Sequence, residues 1–121
     1  MSFAGWGALL LAVAVALGAF GAHALRGRLD AYSMGVWEKA VFYHLIHALG
    51  LLIVGILGRL GSLPSAATAR VSLLLIGGVI LFSGSLYALA LSGVKVLGAV
   101  TPLGGLCFIA AWLLLAFELR K

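Results

Sequence analysis

"FAGWGALLLAVAVALGAFGAHAL", residues 3–25, runs for 23 residues without a formal charge. As an α-helix this stretch is about 35 Å long, enough to cross the ~30 Å hydrocarbon core of a bilayer. Three more apolar runs of spanning length follow, at about 38–59, 70–91 and 98–118. Cations punctuate them: Arg59 and Arg70 at the facing ends of the second and third, Arg120 and Lys121 after the fourth. Barrel strands would alternate polar and apolar residues, and these runs do not. Only 9% of the chain is charged, against roughly a quarter of a soluble domain, so it cannot cover a water-facing surface. The implied fold class is all-α: an integral membrane four-helix bundle, one transmembrane domain over residues 1–121.

The net charge of +5 does not indicate a nucleic-acid surface. The Lys and Arg residues stand singly or in pairs at the ends of apolar runs, where they face lipid headgroups. Membrane lipids are thus the expected partners, and nucleic acid is not one. "AHA", residues 22–24, resembles a signal-peptidase site. No cation precedes the first run, however, and it exceeds the ~7–15 residues of a signal-peptide apolar region, so we expect it to be retained. Cys107 is the one cysteine; it allows no intrachain disulfide and reads as packing.

The connections are short. In "RGRLDAYSMGV", 26–36, Leu29, Tyr32 and Val36 continue a helical stripe from Leu25, with Arg28 and Asp30 off it. That pattern predicts a short interfacial helix between the first two spans. Gly61, Ser62, Pro64 and Ser65 predict a turn over 59–70, and Ser92, Gly93 and Lys95 mark the last one. Small residues inside spans let helices approach closely. Gly18, Ala22, Gly84, Gly104 and Gly105 are the expected packing positions.

Four spans return both termini to one side, called A, which also holds the 59–70 turn. The opposite side, B, holds the 26–36 connection and the turn near Lys95. His23 falls at the side-B end of the first span. Tyr43, His44 and His47 lie in the side-B half of the second, Ser83, Ser85 and Tyr87 in that of the third, and Thr101 and Pro102 open the fourth. The side-A halves offer only Ser72. His47 lies about 14 Å along the helix from Glu38, near mid-membrane. Tyr43, His44 and His47 share one helical face, whereas Glu38 points away and should pair with an interfacial cation. Ionisable groups at such depth must face the bundle interior or a wet cavity.

The expected site is therefore a polar cavity open to side B, formed by His23, Tyr43, His44, His47, Ser83, Ser85, Tyr87 and Thr101. The equally plain reading of these residues is interhelical hydrogen bonding alone. Metal or haem ligation by His44 and His47 is a third reading, but no second thiol or buried carboxylate joins them, and we expect no metal or other cofactor. No catalytic set is evident: no nucleophile, base and orienting group occur together, and there is no phosphate-binding glycine loop.

"GAFGAHAL" (18–25), "YHLIHALGLL" (43–52), "FSGSLYALAL" (82–91) and "TPLGG" (101–105) resemble the motifs of the family catalogued as domain of unknown function four-two-three. That family includes small bacterial inner-membrane proteins and the eukaryotic transmembrane protein two-five-six. The resemblance runs over almost the whole chain and implies a four-span bundle in the bacterial inner membrane, but supplies no activity. Its motif positions fall on His23, Tyr43, His44, His47, Ser83, Gly84, Ser85, Tyr87, Thr101 and Pro102.

These observations lead us to expect a non-enzymatic bundle that binds a lipid or small hydrophobic molecule, alone or as a homo-oligomer. A transporter or channel subunit and a metal- or haem-binding redox subunit are the alternatives. Arg59, Arg70, Arg120 and Lys121 on side A balance Arg26, Arg28, Lys39 and Lys95 on side B, so the positive-inside rule does not orient the chain. With the acidic residues on side B as the only hint, we expect both termini in the cytoplasm.

Overall fold

The computed structural model describes residues Met1–Lys121. It contains four membrane-length helices and no strand: span 1 (Phe3–Leu25), span 2 (Ala31–Arg59), span 3 (Ser65–Ser92) and span 4 (Lys95–Leu119). Ser2 caps span 1 by accepting the Gly5 amide at 3.0 Å. Asp30 caps span 2 by accepting the Ser33 amide at 2.7 Å, and this bond holds the Asp30 carboxyl below its usual pKa. Span 2 is closed just past Arg59 by Gly61, which takes φ +75°; the Ser62 amide returns to the Leu57 carbonyl and the Gly61 amide to that of Gly58. That is a Schellman closure, and its left-handed residue favours glycine.

Two expected boundaries are corrected. The stretch expected to form a separate interfacial helix divides at Asp30: residues 26–30 form a turn, and Ala31–Val36 are the first turns of span 2. Once Asp30 has nucleated the helix, no proline interrupts it before Arg59, so it continues for 29 residues. At about 43 Å it is longer than the hydrocarbon core, so it reaches beyond the core at one end or both. Part of the apolar stripe is used internally, Leu29 and Val36 packing with Met34 on buried Leu25, Trp37 and Ala90, whereas Tyr32 stays exposed. Span 3 begins at Ser65 rather than near 70, with Pro64 outside the helix in extended conformation as its N-cap residue. Glu38 does find an interfacial cation, Arg26, at 3.7 Å.

Spans 2 and 3 form the centre, with 44% of each one's apolar window buried, against 17% for span 1 and 22% for span 4. Span 1 lies along span 2, and span 4 along span 3. The side-A half is sealed by an apolar core that includes Leu51, Val54, Val71, Leu75, Phe108 and Leu115. Close approach between helices rests on missing side chains. A Cβ on Gly7 would lie 2.5 Å from the Leu52 amide nitrogen, and one on Gly55 would lie 2.8 Å from Ala4 Cα. A Cβ on Gly104 would lie 2.7 Å from Phe82 Cα.

The expected packing positions divide accordingly. Gly104 is one, and Gly18 makes a moderate contact, a Cβ there lying 3.3 Å from a Val41 methyl. Ala22 and Gly84 are exposed, and Gly105 has nothing nearer than 3.9 Å to such a Cβ. Gly105, in the regular helix of span 4, simply lies on a different side of its helix from Gly104. For Ala22 and Gly84 the misplacement coincides with two π-helical turns, Gly21–Leu25 and Val79–Gly84. In the first, the Arg26 amide reaches back five residues to the Gly21 carbonyl. Each wide turn adds a residue and rotates the remainder of the helix by about 100°, so a stripe extrapolated at 3.6 residues per turn leaves the interface.

Gly104 and Gly105 are neighbours with opposite surroundings. Gly104→Ala should lower stability by about 1–3 kcal/mol through overpacking on Phe82. Gly105→Ala should stay within about 0.5 kcal/mol of the parent. Thermal unfolding of the two variants in mild detergent measures the difference.

Candidate functional site

The polar side chains of the side-B half are mostly consumed in pairwise clips between helices. His44 and Tyr87 join spans 2 and 3, His44 Nδ1 lying 2.9 Å from the Tyr87 hydroxyl. Ser83, fully buried, donates to the Ala40 carbonyl at 2.8 Å and joins the same two spans. Ser85 and Thr101 join spans 3 and 4 at 2.7 Å. Ser85 also donates to the Phe82 carbonyl at 2.9 Å. A hydroxyl has one proton, so with that bond made Thr101 is the donor of the pair. Span 1 is held by Trp37, whose indole N–H donates to the Leu17 carbonyl at 3.0 Å.

Both span-2 histidines are buried, as their depth requires, at 3% exposure for His44 and 5% for His47. They do different things. His47 Nδ1–H donates to the Tyr43 carbonyl of its own helix at 2.7 Å, which places a proton on Nδ1. Its ring stacks on Phe108 of span 4, centroids 3.5 Å apart. His44 is held instead by Tyr87, and its Nε2 is buried without a hydrogen-bond partner. The two rings therefore engage separate partners. Nowhere does the chain gather three or more His, Cys, Asp or Glu side chains in metal-binding proximity.

The structure brings only part of the expected cavity together. A cleft of about 480 Å³ opens on side B between spans 2, 3 and 4, and of the expected residues only Tyr43 and Thr101 line it. Phe82, Leu86 and Leu89 supply its apolar wall, and Lys39, Tyr32 and Pro102 belong to its lining. His44, His47, Ser83, Ser85 and Tyr87 lie in the helix contacts behind it, and His23 is exposed in the π turn of span 1. Pro102 opens the regular helix of span 4 at its first turn, where a proline is tolerated.

Sequence reasoning missed Trp37, and it placed Lys39 on side B without counting it in the cavity that Lys39 lines. Trp37 is 3% exposed and its ring lies 4.7 Å from that of Tyr87. Its signal was Gly21, whose missing side chain makes room for the indole. On side A it missed Thr68, buried and donating to the Pro64 carbonyl at 3.0 Å. Ser72 is also buried there, its hydroxyl without a partner.

The His44–Tyr87 clip can be weighed directly. In a double-mutant cycle of His44→Leu and Tyr87→Phe, the coupling should be about 0.5–2 kcal/mol, the range of interhelical hydrogen bonds in membranes. Reversible unfolding in mixed micelles reads it. A coupling of zero would mean that ring and phenol merely share a space.

Known proteins match the chain over most of its length. The family model described as "Protein of unknown function (DUF423)" matches residues 17–105. The UPF0382 membrane protein SH2409 of Staphylococcus haemolyticus is 50% identical over 115 residues, covering 95% of this chain and 92% of the relative. The UPF0382 membrane protein YwdK of Bacillus subtilis is 46% identical over 116 residues, covering 95% and 93%. No solved structure matches the chain. A family match over most of the chain and relatives aligned almost end to end lead to one conclusion: the chain belongs to this family of uncharacterised integral membrane proteins.

Proposed function

We propose that the chain is a non-enzymatic, amphiphile-binding protein of the bacterial plasma (inner) membrane, with both termini on the cytoplasmic side. The observation that carries this reading is the side-B cleft between spans 2, 3 and 4. Its volume, about 480 Å³, lies within the ~300–1,000 Å³ of small-molecule sites. Its wall is Tyr43, Phe82, Leu86 and Leu89, and Lys39 is the one charged residue of its lining. A single-chain amphiphile with an anionic head fits both features: the chain lies on the aromatic and aliphatic wall, and the head meets the ammonium group. The hydroxyls behind the cleft are occupied in helix clips, which supports a binding role over a catalytic one.

The transporter reading finds less support. Leu51, Val54, Val71 and Leu75 are fully buried across the side-A half. Thr68 and Ser72 are the buried polar residues at that end, and Thr68 is bonded within its own helix. A polar path through one chain would have to displace this core. The cleft is blind, and a ligand enters and leaves it on side B or laterally from the bilayer.

Native mass spectrometry of protein released from mild detergent should show one anionic amphiphile retained per chain. Lys39→Gln should weaken that retention about fivefold to tenfold, the loss of one charge-assisted contact of ~1–1.4 kcal/mol. A parent chain with no adduct, or a variant that keeps it undiminished, would overturn the proposal. Orientation has its own test. A green fluorescent protein fused after Lys121 should fluoresce and an alkaline phosphatase fused there should be inactive; the opposite pattern would reverse the assignment.

A further inference from the structure

A second groove, about 310 Å³, lies between spans 1 and 2 and is separate from the cleft just described. On its span-1 side Gly18, Gly21 and Ala22 present almost no side-chain bulk, and the opposite wall includes Val41, Phe42 and Leu45 of span 2. Trp37 also lines it, held by its bond to the Leu17 carbonyl. The groove lies at the start of the π turn Gly21–Leu25, where Ala22 is exposed and leaves a hollow beside Trp37. Water gains little from such apolar walls, whereas an acyl chain fills them at no polar cost.

The groove also has a mouth of defined chemistry. Arg26 and Glu38 are its two charged lining residues, and they touch through one long contact, Nη2 to Oε1 at 3.7 Å. Their side chains are 68% and 60% exposed. A pair this open contributes little by itself. It leaves guanidinium donors and carboxylate acceptors free for a third party. Both residues stand at the side-B end of their spans, at headgroup depth.

We propose that this groove binds a zwitterionic glycerophospholipid whose headgroup carries a primary ammonium. Its phosphate bonds to Arg26 and its ammonium donates to Glu38, while one acyl chain lies over Gly18 and Ala22 against Val41, Phe42 and Leu45. The charges select the class. A purely anionic headgroup would satisfy Arg26 but set negative charge beside Glu38. A quaternary ammonium would match both charges but has no N–H to donate to the carboxylate.

Trp37 provides a local reporter. In a Trp6→Phe/Trp112→Phe background it is the remaining tryptophan of the three. Phosphatidylethanolamine with brominated acyl chains, titrated into phosphatidylcholine nanodiscs, should half-quench it at a mole fraction several-fold lower than brominated phosphatidylglycerol or brominated phosphatidylcholine. Glu38→Gln should erase the preference of phosphatidylethanolamine over phosphatidylglycerol, because Arg26 then accepts either phosphate. Ala22→Phe, which fills the hollow and leaves both charges, should remove the saturable quenching by all three lipids. Native mass spectrometry of the unsubstituted chain with the same lipids should give the same order, independently of how the tryptophan variants fold. Lys39→Gln, which weakens binding in the other cleft, should leave this order unchanged. Equal quenching by the three lipids, or a preference that survives Glu38→Gln, would overturn the proposal.

Discussion

A polar group inside hydrocarbon has no water to fall back on, and this governs the side-B half of the bundle. Backbone carbonyls resolve most of it. In a helix each carbonyl has a second lone pair beside the one used in the helical ladder. Trp37 uses that of Leu17, Ser83 that of Ala40, His47 that of Tyr43 and Ser85 that of Phe82. The bonds of Trp37 and Ser83 run between spans, so the same economy that satisfies a buried donor also ties two helices together. Each bond is modest, because the separated helices also find partners in the membrane. Their placement, more than their sum, sets the register of spans 1, 2 and 3.

The side-A half is held by other means. There the helices meet where side chains are missing, at Gly7 against Leu52 and Gly55 against Ala4, and the middle fills with leucine and valine. Lipid tails are as apolar as leucine, so shape rather than water exclusion selects these contacts. The two halves therefore do different work. One is a close-packed seal, and the other is a clipped assembly with room between its clips.

That room arises where the helical repeat breaks. The π turns at Gly21–Leu25 and Val79–Gly84 lie in spans 1 and 3, one in each helical hairpin. π turns are costly, rare and frequent at functional sites. Here the first borders the hollow beside Trp37, and the second brings Ser83 onto the Ala40 carbonyl next to Phe82, which lines the cleft. Span 2 contributes to both spaces, with Glu38 facing one and Lys39 the other. Adjacent residues point about 100° apart on a helix, so one turn of span 2 presents an acid to one groove and a base to its neighbour.

Hydropathy and charge are summed locally along the chain, and everything that depends on them was legible in the sequence. The uncharged run 3–25 and its three successors established the class, the number of spans and the connectivity. Connectivity then placed His44, His47, Ser83, Tyr87 and Thr101 at one end, and depth required both span-2 histidines to face inward. The set of candidate partners for the two histidines was legible too, and it included Tyr87, which meets His44; which member pairs with which histidine was not, because that depends on how each helix is rotated about its axis. An added residue in a π turn changes that rotation without altering composition or hydropathy. His23 and Ala22 therefore left the expected face, Gly84 became exposed, and Trp37, whose surroundings read as interfacial, became an anchor between spans 1 and 2. Tertiary packing alone decided that His44 meets Tyr87 while His47 turns to its own backbone, since hydrogen bonding and ring stacking depend on distances of a few ångströms between residues distant in sequence.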